Sequence, residues 1–495
     1  MDLFDSVRRY RLFDSSVQLE FELIRLLHSQ DRWFSTGEIS KTLKTNSNAI
    51  LRIANKLAED IEAYGDERIT LSASKGKGLR LNRAADISIK GFQLSLLEDT
   101  YTIRLMRSIF HGEFETVKKY SQKHFLSEAT VRRKITKLRA VLAKYDISIK
   151  REDATLEGEE SQIRALMNMF YWRLFIGITW PFPNVNEEII HSIVQDIADR
   201  LNIKFNTVTH RQIMYFLAVS IIRTRRGNFV NIKEEWWQYI EDSPLYNKFT
   251  KIMKDQNGGL NTSNDEIPFY YLIFSTRIFS LNYPELIEFH KKKKTRAYQA
   301  SLLLKEAFTQ EIFEIPEEKL TRFMDYSIIF HTYVDIFKKF SADLNGYVGD
   351  AYSEEYPEMK KRIDYSLNGL IERSNLDLFK EKGYLSIRYQ WLAALVGRIS
   401  LYEKKYTIII ELDAPKIMKE MVLEEIDAWL GIRYNCELFF IEDLSDVSQA
   451  DVLLTNIPLR ELDHKEQFKS VKIINIENIP THETMRRLDK KLQSL

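Results

Sequence analysis

The chain has 495 residues and 58.6 kDa, is 44% hydrophobic and 29% charged, and carries a single cysteine, Cys436. This excludes wholesale disorder, a collagen-like repeat and a disulfide scaffold, and the length suggests about three to five folding units. The formal net charge of +1 hides two unlike ends: Lys118 to Arg151 holds eleven Lys/Arg against two acids, Glu128 and Asp146, whereas Asp and Glu outnumber Lys and Arg over the last ninety residues.

Gly (17) and Pro (10) are scarce, which favours a mainly helical protein. A lone thiol has no internal partner, so a reducing compartment is expected. The start, Met1-Asp2-Leu3-Phe4-Asp5, has no apolar core of a secretory signal. The greasiest run, Met167 to Phe182, holds Arg173 and Pro181 and is too short to cross about 30 Å of hydrocarbon. Together these predict a cytoplasmic chain with no membrane partner.

Residues 15–82 read as three helices and a small ribbon. Val17, Leu19, Leu23, Ile24, Leu26 and Leu27 form an apolar stripe. Ser35-Thr36-Gly37-Glu38 matches a capping box and opens a second helix. Asn48 to Ile61 has Ile50, Ala54, Leu57 and Ile61 at helical spacing, leaving Asn48, Arg52 and Lys56 as polar candidates to meet DNA. Ile69-Thr70-Leu71-Ser72 and Leu79-Arg80-Leu81 flank the turn Lys75-Gly76-Lys77-Gly78, a wing whose Lys75, Lys77 and Arg80 could reach a phosphate backbone.

The order then repeats. Ile87 to His111 is expected to be helical, Phe114 to Lys123 a second helix, and Leu126-Ser127 the start of a third that runs to about Tyr145. A ribbon of Ile147–Ile149 with Ala154–Gly158 follows. Ser127 is a good N-cap, with Leu126 and Val131 as its hydrophobic staple. Val131, Ile135, Leu138 and Leu142 face inward, which predicts Thr130, Arg132, Arg133, Lys134 and Lys137 on an outer, DNA-reading face. The alternative is an ordinary solvated basic helix face, but two consecutive helix-helix-wing units make that less economical.

Residues 185–400 read as helix throughout, divisible into two bundles at the polar stretch Lys254–Asp265, with Asn257-Gly258-Gly259, or at Lys291–Lys294. The end changes character: Tyr406–Ile410, Cys436–Ile441, Asp451–Thr455 and Val471–Ile476 are short apolar strands, with a helix from Ala414 to Trp429, predicting a small parallel α/β sheet.

No G-x-S-x-G elbow, phosphate loop, H-E-x-x-H or Cys/His metal spacing is present, so no enzyme, cofactor or metal is expected. Three histidines invite attention. Thr209-His210-Arg211-Gln212 reads as a capping box that would set His210 beside free N–H groups of a helix N-terminus. His331 has Asp335 one turn later, and His191 has Glu187 one turn earlier; either carboxylate could orient a ring. Each could equally be a structural histidine.

This order of parts resembles the Mga/AtxA family of virulence regulators of Gram-positive bacteria. The local matches are Ser127-Glu128-Ala129-Thr130-Val131-Arg132-Arg133-Lys134, similar to the second DNA-reading helix, and Thr209-His210-Arg211-Gln212-Ile213, similar to the first regulatory bundle. The resemblance implies winged helix-turn-helix units at 1–84 and 85–160, and phosphotransferase-system (PTS) regulation domains at 161–285 and 286–400. It implies an enzyme IIB-like α/β domain at 401–495. It further implies a transcriptional regulator that binds double-stranded DNA, accepts phosphate on His210, His331 or His191 from the PTS phosphocarrier protein, and forms a homodimer through its tail and bundles. The loop Glu411-Leu412-Asp413-Ala414-Pro415 lacks the thiol of a cysteine-type phosphocarrier, so an interaction role suits the tail better. An RNA-binding antiterminator and a phosphotransfer protein without a nucleic-acid role stay open.

Overall fold

The computed structural model describes residues 13–98, 100–256, 266–278, 284–341, 355–444, 446–457, 470–477 and 480–493. The Met1–Asp5 start and the Asn257-Gly258-Gly259 break lie outside them. The chain divides into two compact units, Met1–Tyr298 with His331–Val348, and Gln299–Phe330 with Gly349–Leu495.

In the first unit, α1 (Ser15–Ser29), α2 (Thr36–Thr42) and α3 (Ser47–Tyr64) pack beneath the antiparallel ribbon of β1 (Ile69–Ser74) and β2 (Gly78–Arg83). Ser35 caps α2 as the sequence signals, accepting from the Glu38 N–H; α3 begins at Ser47, one residue before the expected Asn48, because Asn46 caps it by accepting from the Ala49 N–H. Leu23, Ile24, Ile39, Ile50, Leu57, Leu79 and Leu81 share one core. A third short edge, unforeseen in the sequence, comes from Phe34, which exchanges backbone hydrogen bonds with Leu79. Gly78 has φ +97°, and a Cβ there would overlap the Phe34 carbonyl, so this glycine lets the wing lie against the entry to α2.

After α4 (Ile89–Glu98), whose Ile89 and Phe92 join the first core, the same construction recurs in α5 (Tyr101–Phe110), α6 (Val117–Lys123), α7 (Glu128–Leu142), β3 (Ser148–Ile149) and β4 (Leu156–Glu157). The expected single helix over 87–111 is two, because the Thr100 side chain caps a new start by accepting from the Ile103 N–H. Corresponding positions of the two units follow each other residue for residue. Ser35 and Thr116 cap the second helix, and Asn46 and Ser127 cap the third. Between them, the Thr45 N–H bonds to the Ser40 carbonyl as the Leu126 N–H does to that of Ser121.

Beyond them, α8 (Glu160–Phe175), α9 (Glu187–Arg200), α10 (Thr207–Thr224), α11 (Pro244–Asp255), α12 (Ile267–Ile278) and α13 (Pro284–Lys293) form an all-helical layer. Helix α8 is buried on nearly every side, so its charges need partners. Arg164 meets Glu160 and Glu266 and donates to the Asn228 carbonyl, Arg223 meets Glu160, and Glu266 accepts from the Val230 N–H. Lys291, Lys292 and Lys293 form the last turn of α13, where cations meet the negative end of the helix dipole.

Helix α14 (Arg296–Glu311) and helix α15 (Glu317–Ile336) follow, with α16 (Pro357–Arg373) and α17 (Lys382–Val396) in the second unit. Its end is a four-stranded parallel sheet of order β6-β5-β7-β8, from β5 (Lys405–Glu411), β6 (Asn435–Phe440), β7 (Val452–Thr455) and β8 (Lys472–Asn475). Helices α18 (Lys416–Leu430) and α19 (His482–Leu492) contribute to a core with Ile408, Ile410, Val452 and Leu454. The fold is thus mainly helical, with a small parallel α/β end, as the residue patterns require.

Candidate nucleic-acid interface

Both third helices expose part of their first two turns. In α3, Asn48, Leu51 and Arg52 are exposed; in α7, Arg132 and Arg133 are exposed and Thr130 is half-buried, its hydroxyl 2.9 Å from that of Ser127. Arg52 and Arg133 occupy the same position of the two units. Arg132 pairs with Glu128 at 3.2 Å. At the first wing tip Lys75 and Lys77 are exposed, Lys77 lies 5.9 Å from the Trp33 ring centroid, and Arg80 pairs with Asp31 at 2.9 Å.

One expected contact is corrected. Lys134 does not lie on the outer face: it is 6% exposed, and its ammonium donates to Asp14 Oδ1 and Thr102 Oγ1, each at 3.2 Å. Its counterpart in α3 is Ile53, 2% exposed, so this is a core-facing position of the repeated unit. Helix periodicity alone leaves such a boundary position undecided; packing against α1 and α5 settles it. Lys137 is half-buried and lines, with Arg133, a groove of about 520 Å³ against Asp14, Gln18 and Glu22 of α1. The corresponding Lys56 is held by Glu20 at 2.6 Å and by Asp60. Burial, then the hydrogen bond with Asp60, raises the Glu20 carboxyl to about 7, against the lowering effect of Lys56.

Two exposed residues at the turn before each third helix escaped the sequence reading. Lys44 (φ +49°) and Phe125 (φ +53°) hold matching left-handed positions, two residues before the caps Asn46 and Ser127. A seven-residue helix followed by a three-residue turn and a cap is the signal that would have found them.

The histidines also move from expectation. Helix α10 starts at Thr207, not after Thr209: Asn206 is the cap, its side chain accepting from the Thr209 N–H at 2.7 Å. The His210 N–H is therefore already bonded to the Asn206 carbonyl, and Gln212 is buried, accepting from Arg277 at 2.8 Å. His210 is not at a free helix N-terminus. Instead its ring lies 4.7 Å from that of exposed His191, centroid to centroid, beside Arg211, which pairs with Glu187. Burial, then His191 and Arg211, hold His210 below the ordinary imidazole range. His331 is wholly enclosed, and burial drives it down to about 3. Asp335 accepts from the Tyr239 hydroxyl at 2.6 Å and pairs with Arg296 at 3.2 Å. In the tail, burial raises the Cys436 thiol to about 12, far from a reactive thiolate. Among the described residues no His/Cys/Asp/Glu group could hold a metal ion, and no helix is long and apolar enough to cross a membrane.

Two winged units in tandem define a chain whose front is a helix-turn-helix module. Residues 85–171 match the Mga helix-turn-helix domain. The capsule synthesis positive regulator AcpB of Bacillus anthracis is 22% identical over 245 residues, 49% of either chain, and the capsule synthesis positive regulator AcpA of the same organism is 22% identical over 255 residues, 50% of this chain and 51% of its own. The chain thus spans about half the length of these two relatives. The anthrax toxin expression trans-acting positive regulator of that organism is 22% identical over 489 residues, 94% of this chain and 97% of its own. The chain thus carries a Mga helix-turn-helix domain and is similar to regulators of the Mga/AtxA kind.

Proposed function

We propose that this protein is a DNA-binding positive regulator of transcription that grips duplex DNA with the first turns of α3 and α7 and with the basic wing tip. The observation that carries this reading is the repeated unit, which presents Arg52 and Arg133 at the same exposed position of two third helices. Backbone charge neutralisation is the physical basis of such a grip. The three relatives are named as positive regulators, which supports the direction of control. The test is binding of the full chain to mixed-sequence duplex DNA across a salt series. Arg52→Ala with Arg133→Ala should weaken binding and flatten the log–log salt slope by about 2, at about 0.9 for each lost phosphate contact. An unchanged slope refutes this interface.

The finer reading gives 161–285 and 286–400 as PTS regulation domains and 401–495 as an enzyme IIB-like domain serving self-association as a homodimer. Phosphate from the PTS phosphocarrier protein would then enter at the His191–His210 pair, where an exposed ring adjoins a half-buried one and Arg211 supplies positive charge. His331 would first need local opening. Loss of acid-labile phosphate uptake in His191→Ala with His210→Ala supports this route; full labelling of that variant refutes it.

A further inference from the structure

Phe125 is 95% exposed and has φ +53°. Both features are unfavourable in the free protein. A side chain with a Cβ resists the left-handed region, where Gly or Asn is the usual occupant, and a bare phenyl ring orders water. The matching position of the first unit holds Lys44, a residue that costs water nothing. The ring sits at the corner of the turn joining α6 to α7, two residues before the Ser127 cap. Exposed cations lie close by in the chain, Lys119 and Lys123 on α6 and Arg132 and Arg133 on α7; Lys119 pairs with Glu115 and Arg132 with Glu128, which leaves Lys123 and Arg133 as the cations nearest the turn without a carboxylate one helical turn away. A polyanion with apolar groups inside its groove would meet both the bare ring and the exposed cations Lys123 and Arg133.

We infer that Phe125 is a specificity-determining DNA contact, placing its ring against a thymine methyl group in the major groove while the surrounding Lys and Arg side chains hold the phosphates. The inference rests on the DNA-binding reading proposed above. Apolar contact with that methyl is one of the few ways a side chain without donors reads a base pair. The left-handed turn projects the ring away from the core of its own unit, and the grip of the neighbouring cations brings the groove to it. Lys44, at the same corner of the first unit, meets a phosphate instead, so the two units read DNA unequally.

The experiment uses the full chain with A·T-rich duplexes made either with thymine or with uracil, which lacks only the methyl. Phe125→Gly should bind the thymine duplex about fivefold to tenfold more weakly with an unchanged salt slope, since no phosphate contact is lost. Its unfolding midpoint should not fall, because glycine relieves the left-handed strain. The unaltered protein should lose about fourfold on uracil DNA, the worth of one buried methyl, and Phe125→Gly should be indifferent to the exchange. Equal binding by Phe125→Gly and the unaltered protein overturns the inference while leaving the DNA-binding reading intact. Equal binding of thymine and uracil duplexes by the unaltered protein also overturns it. Failure of the unaltered protein to bind any duplex at low salt overturns both.

Discussion

Lys134→Met separates a cation that supports the fold from those that face outward. Lys134 is 6% exposed, and removing its ammonium from water costs several kcal/mol. Its compensation is thin. Asp14 is 61% exposed, so that ion pair is screened and contributes at most about 1 kcal/mol. The hydrogen bond to Thr102 adds roughly another 1–2 kcal/mol. Met has a similar length and no charge, and the matching position in α3 is already Ile53. The variant should therefore be as stable as the original or more stable by about 1–2 kcal/mol, in keeping with other buried ions replaced by apolar side chains. Urea unfolding followed by circular dichroism measures this. DNA binding in the same variant should keep both its affinity and its salt slope. Destabilisation by more than about 1 kcal/mol, or a slope flattened by about 0.9, would show that the ammonium is worth more than this reasoning allows, or that it swings out to a phosphate.

Two further outcomes are expected. Glu266→Ala leaves the fully buried Arg164 guanidinium with only Glu160, which Arg223 shares, and the Asn228 carbonyl, and should cost about 3 kcal/mol, whereas Arg164→Met with Glu266→Leu should be milder; equal losses in urea unfolding would contradict the charge argument. Burial holds His290 and His331 near 3, below the ordinary imidazole value of 6.5, so the unfolded chain takes up protons that the folded chain refuses. Stability is then full above pH 6.5 and falls as the pH drops from there towards 3, by about 1 kcal/mol per histidine at the first unit below. His331→Gln should blunt this acid sensitivity, and an unchanged unfolding profile between pH 7 and 5 would refute it.

The local signals were legible because they act within a few residues. Ser35 and Ser127 cap helices through their own chain neighbours, the Lys75–Gly78 turn closes its own ribbon, and the continuous apolar runs at 406–410 and 451–455 can satisfy themselves only inside a sheet. The repeat of helix, helix, helix and wing was visible for the same reason. The cap of α10 is ambiguous in the sequence because Asn206 and Thr209 are both competent cap residues, and the choice between them depends on where the preceding chain enters the helical layer.

Order of elements, caps and strand runs are thus written in the residues themselves, since each depends on neighbours a turn or a strand pair away. Which charges face water is not. Lys134 went inside because α1, more than a hundred positions earlier, lies across its helix and supplies Asp14; His331 was enclosed and His191 brought beside His210 by helices that meet only after folding. Burial is a property of two surfaces in contact, so a single helix's periodicity can name its apolar stripe but cannot say what will cover the residues at the stripe's edge.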